Sequence, residues 1–126
     1  MNVSKFIVVL TAIVFLLYGV GFSVTPELLS HFVTGSSPTS PSGVIDMRST
    51  YGGMSIAVGI LLFLLSRSHL NLGLTATLIL MASMAVTRTY GLFIDGPANN
   101  LMFVYLALEI SVALAAGVLM LRENEN

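Results

Sequence analysis

The chain has 126 residues, of which 56% are hydrophobic and 9% charged, with a net charge of −1. Its mean hydropathy is +0.94; a soluble fold of this length has no room to hide that much apolar side chain, so lipid is part of the solvent. The charge leaves no electrostatic footprint for nucleic acid, the absence of cysteine excludes disulfides and thiol chemistry, and two histidines argue against a structural metal site.

Residues 6–24 form the first apolar run, with Lys5 before it. The run is too long for a signal-peptide core, and no small-x-small cleavage site follows it. At 1.5 Å per residue it reaches about 28 Å, enough to cross a bilayer core. Thr25-Pro26-Glu27 is a helix start: a capping residue, a proline suited to the first position, and an acid at the positive helix end. The segment after it alternates Leu28, Leu29, Phe32 and Val33 with Glu27, Ser30 and His31. It is too short to span and amphipathic enough to lie at the interface. Residues 34–43, rich in Ser, Pro and Gly, read as a solvated loop.

Three further spans follow, over about residues 45–65 (starting at Ile45 or a few residues earlier), 70–90 and 99–121. The turn Ser66-Arg67-Ser68-His69 separates the first two, and Asp95-Gly96-Pro97 separates the last two. Arg122-Glu123-Asn124-Glu125-Asn126 is a polar tail, read as solvated. The expected fold is all-α: a single integral membrane domain, an antiparallel four-helix bundle with a short interfacial helix after the first span. Lys5, Arg67, Arg122 and His69 share one side. The positive-inside rule then puts both termini in the cytoplasm, with the protein in the cell inner membrane.

Each span carries a polar or small-residue stripe at helical spacing. The first has Thr11, Phe15, Tyr18 and Phe22; the second Arg48, Gly52, Ser55 and Gly59. The third has Gly73, Thr77, Met81, Met84, Arg88 and Gly91; the fourth Met102, Tyr105, Glu109, Val112, Ala113 and Ala116. Charge inside a span is costly and needs partners. Glu109 falls near the bilayer midplane, where a lone carboxylate favours its neutral form. Arg48 stands near a helix N-terminus, where the dipole disfavours it, so a carboxylate is expected to hold it: Asp46, Asp95 or Glu109. The preferred arrangement turns Arg48 and Arg88 inward, with Glu109 below them and Tyr51 and Tyr105 alongside. Tyr18, Tyr51 and Tyr90 sit near span ends, and interface anchoring is the plainer reading of each. Met81 and Met84 read as packing.

These residues carry a resemblance. Tyr18-Gly19, Pro26-Glu27, Asp46-x-Arg48-x-x-Tyr51-Gly52-Gly53, Arg88 with Gly91, Asp95-Gly96 and Glu109 resemble a widespread bacterial family of four-span membrane proteins known as a domain of unknown function, with a more distant likeness to DoxX-like proteins. The likeness covers nearly the whole chain. It implies the fold and the importance of the polar set, and carries no activity with it.

Two arginines suit a carboxylate or phosphate, and apolar walls suit a tail. The leading expectation is therefore binding or carriage of an amphiphile, lipid- or quinone-like, in a pocket lined by Arg48, Tyr51, Arg88, Tyr105 and Glu109. Asp46 and Asp95 would complete the polar network. Membrane lipid is then a partner, and no cofactor is implied. The alternative is a structural or accessory subunit, or a homo-oligomer, whose Arg/Glu/Asp network only specifies helix packing. An acid–base enzyme using Glu109 or Asp46 lacks a second catalytic group at defined spacing, and no nucleotide or phosphate motif is present.

Overall fold

A computed structural model describes residues 2–125. The helices are α1 (Val3–Val24), α2 (Pro26–Thr34), α3 (Pro41–Met47), a π-helical turn (Arg48–Gly53), α4 (Met54–Ser68), α5 (Leu70–Ile94) and α6 (Asn100–Glu125). α3, the π-turn and α4 run on as one rod, Pro41–Ser68. With α1, α5 and α6 it makes four helices long and apolar enough to cross a membrane. The chain is an all-α, multi-pass membrane protein built as a four-helix bundle.

Local chemistry explains the boundaries. Asn2 opens α1 by accepting a hydrogen bond from the Lys5 amide at 2.9 Å. Gly35 ends α2 in the left-handed region, at φ 85°, and Gly96 does the same just beyond α5, at φ 91°. Ser40 caps α3 through the Gly43 amide at 3.1 Å, with Pro41 at the first turn. That cap starts the second rod four residues before residue 45 and shortens the loop to residues 35–40. Thr25 precedes α2 but does not cap it with its side chain; its hydroxyl donates back to the Gly21 carbonyl at 3.2 Å.

The polar stripes are the inward faces, apart from Arg48: Thr11, Phe22, Gly52, Ser55, Gly59, Gly73, Thr77, Met81, Glu109, Ala113 and Ala116 are all buried. In lipid the apolar drive between helices is weak, so close backbone approach matters more. α1 packs chiefly along the second rod and α5 along α6. The α1 seam depends on glycine. A Cβ on Gly19 would lie 2.7 Å from the Ile56 nitrogen and 2.8 Å from the Gly52 oxygen, and one on Gly59 would lie 2.8 Å from the Ala12 oxygen.

Val8, Ala12, Leu62, Leu74 and Ala116 form the apolar core, in the half of the bundle that holds the termini. There the Ser4 hydroxyl, buried, donates to Glu123 at 2.7 Å. Glu123, exposed in the tail, thus also ties α1 to α6. Asn126 lies outside the described residues. Hydroxyls elsewhere in the spans bond the carbonyl one turn back, as Thr11 does to Ile7 and Thr77 to Gly73. The opposite half, the loop end, holds Arg48, Arg88 and Glu109.

α2 lies across the loop end. Pro26, Ser30 and Val33 face inward, while Leu28 and Phe32 are exposed, the pattern of a helix lying in an interface. Asn99, just before α6, donates to the Val33 carbonyl at 2.9 Å and ties α2 to the third turn of the chain.

Candidate functional site

Two basic centres occupy the loop half. The first joins α5 to α6. Arg88 Nε donates to Glu109 Oε2 at 2.9 Å and Nη2 donates to Oε1 at 2.5 Å, a fork-on-fork pair. Nη1 faces the Met102 sulfur at 3.3 Å. The guanidinium carbon stands 5.2 Å from the centre of the Tyr105 ring, a cation–π contact. Met102, Tyr105 and Glu109 fall at spacings of three and four on α6, so one helix face offers Arg88 all three contacts. The Glu109 side chain is 6% exposed and that of Arg88 21%. Glu109 is nine residues into α6, roughly 13 Å along its axis. Arg88 is a full turn and more from the end of α5, because α5 continues to Ile94 rather than ending near residue 90.

The second centre is Arg48, the first residue of the π-turn. Its Nη1 donates to the carbonyls of Ser23 and of Val24, the latter at 3.2 Å. These are orphan acceptors at the end of α1, the negative end of the helix dipole. The expected carboxylate is therefore not what holds Arg48. Its donors find backbone oxygen instead, and among the described residues no Asp or Glu pairs with it. Arg48 is exposed and keeps its charge unneutralised.

The π-turn makes this geometry. Backbone bonds there reach five residues back, as from the Met54 amide to Ser49. Gly52, inside the turn, lies against Ser23: a Cβ on it would meet the Ser23 hydroxyl and come within 3.0 Å of its nitrogen. The Gly52 contact and the Arg48 bonds thus grip the same end of α1 from one turn of the second rod.

An aromatic row runs between the two centres. Tyr51 stacks on Phe22 with ring centres 5.3 Å apart, and Phe22 meets Tyr18 at 4.7 Å. Tyr18 is half-buried on the Thr11–Phe22 stripe. Tyr90 is exposed.

The expected single centre is therefore resolved into two. Arg88, Glu109 and Tyr105 meet; Tyr51 stands with Phe22; Arg48 is apart on the α1 end. Asp46 is exposed and accepts only from the Thr50 hydroxyl, at 3.3 Å. Asp95 is exposed in the α5–α6 turn. Neither reaches a base among the described residues. No three His, Asp or Glu side chains among those residues gather closely enough to hold a metal ion.

Two surface grooves flank the bundle. One, of about 420 Å³, lies at the loop end between Glu27, Pro38, Ser40, Val44 and Ile45. The other, of about 290 Å³, is an apolar trough between α4 and α5, lined by Val58, Leu62 and Leu80 among others. Arg88 and Glu109 line neither.

No curated protein and no solved structure matches the chain. One family model does, over residues 3–120, which take in both basic centres, the aromatic row and all four spans. The chain belongs to the family described as Domain of unknown function (DUF4345).

Proposed function

We propose that this protein binds a membrane amphiphile with an anionic head, at the loop end of the bundle. The observation that carries the reading is the unneutralised charge of Arg48. Its contacts are neutral carbonyls, so the site still attracts an anion. Arg88 has lost that capacity to Glu109. The head of the ligand thus sits at Arg48, with Tyr51 and Phe22 beginning the apolar wall below it. Lys5, Arg67, Arg122 and His69 at the other end argue for cytoplasmic termini, which puts the binding end in the outer leaflet of the inner membrane.

A vesicle-reconstituted sample with a phospholipid carrying a photoreactive group near its head tests this. The adducts are expected at the loop end, around Tyr51, and to fall in Arg48→Gln. Labelling spread evenly over exposed residues such as Val86 and Leu114, and unchanged in Arg48→Gln, would refute it.

A second reading is favoured by the Arg88 contacts themselves. All three guanidinium nitrogens face partners within the chain, and no buried side-chain polar atom among the described residues lacks a hydrogen bond. Such a closed network supports a structural or accessory subunit whose charges set the register of α5 on α6. Under that reading no lipid depends on Arg48.

A further inference from the structure

Arg48 is not the only unspent charge at the loop end. Glu27, in the first turn of α2, is exposed, and its carboxylate has no partner among the described residues. It lines the groove of about 420 Å³ opposite Pro38, Ser40, Val44 and Ile45. Val44 is one helical turn before Arg48, whose amide bonds its carbonyl. Arg48 itself stands just outside that lining, and the Val24 carbonyl that it holds is three residues before Glu27. A free cation and a free anion therefore flank the junction of α1 and α2, with a groove beside them, and they do not pair with each other.

We propose that this junction is a receptor for a zwitterionic phospholipid head bearing a primary ammonium, the phosphate on Arg48 and the ammonium on Glu27. This rests on the amphiphile-binding reading and narrows its anionic head to a phosphate that carries its own ammonium. Charge complementarity selects the occupant. A phosphate on a guanidinium is a charge-assisted contact, and the ammonium supplies three donors to a carboxylate that otherwise has only water. An anionic head with no cation would bring its phosphate to Arg48 and leave Glu27 unmatched. A quaternary ammonium has no N–H to give. The source is lipid rather than a free solute, since the groove opens at the end of the spans, beside the exposed Leu28 and Ile45.

Native mass spectrometry from nanodiscs tests this by head-group series, without relying on any variant. Discs are made with phosphatidylethanolamine, phosphatidylglycerol and phosphatidylcholine in equal parts, and the lipids retained by the protein are counted. Phosphatidylethanolamine is expected to be retained over each of the others by about fivefold, the ratio that one exposed ionic contact gives. Glu27→Gln, a surface change, should abolish that preference while leaving Arg48-dependent retention in place; Arg48→Gln should cut retention of all three about tenfold. Equal retention of the three lipids by the unmodified protein, or a preference that survives Glu27→Gln, overturns the zwitterion assignment alone. Retention unaffected by Arg48→Gln overturns it together with the binding reading beneath it.

Discussion

Arg88 and Glu109 meet fork to fork, Nε to Oε2 at 2.9 Å and Nη2 to Oε1 at 2.5 Å, across the interface of α5 and α6. The pair is the main polar tie between those two helices, and it consumes the charge that a ligand would need. This relationship divides the loop half into a fixed strut at Arg88 and an open charge at Arg48.

Breaking the strut on one side should cost more than removing it. Arg88→Ala leaves the Glu109 carboxylate buried and alone, at a cost of about 3 kcal/mol. Arg88→Met combined with Glu109→Leu removes both charges, fills the space, and should unfold close to the unmodified protein. Thermal or denaturant unfolding in a fixed detergent compares them. A double variant weaker than Arg88→Ala would mean that the pair itself, and not the stranded charge, sets stability.

The α1 seam predicts a contrast among glycines. Gly19→Ala puts a methyl against the Ile56 nitrogen and Gly52 oxygen at under 3 Å, both backbone atoms that cannot turn aside. Overpacking of that kind costs about 1–3 kcal/mol. Gly117→Ala meets only Leu78 side-chain carbons, the nearest at 3.6 Å, and should be tolerated. Melting temperatures of the two variants give the comparison directly; equal values would show that α1 can back away from the second rod.

Asn99 should control the hold on α2. Its amide to the Val33 carbonyl is a single long-range tether, worth about 1 kcal/mol. Asn99→Ala is expected to quicken hydrogen exchange in residues 28–34, and in the first turn of α6 that it also holds, while leaving α5 and the rest of α6 unchanged. Faster exchange across α6 instead would place the role of Asn99 at the start of that helix, where its side chain also accepts from the Met102 amide.

Much of the bundle was legible because helical periodicity is a strong signal: Gly73, Thr77 and Met81 on α5, and Glu109, Ala113 and Ala116 on α6, mark their inward faces directly. The Arg88–Glu109 pair followed from the need of intramembrane charge for a partner. The partner of Arg48 was not legible, because terminal carbonyls of another helix leave no mark in the sequence. The π-turn is equally silent, since its bonds are backbone bonds; Gly52 and Gly53 hint only at tight packing. The early start of the second rod was present in the sequence as Ser40-Pro41, a capping residue before a proline, and was masked by the Ser/Pro content of the loop.

The most direct measurement compares phospholipid retained by the unmodified protein, by Arg48→Gln, and by the Arg88→Met, Glu109→Leu double variant, by native mass spectrometry from one nanodisc preparation. Retention is predicted to persist in the double variant, to drop about tenfold in Arg48→Gln through loss of one charge-assisted contact, and to recover in part in Arg48→Lys. Equal retention in Arg48→Gln and the unmodified protein would contradict the assignment of the open charge as the binding centre.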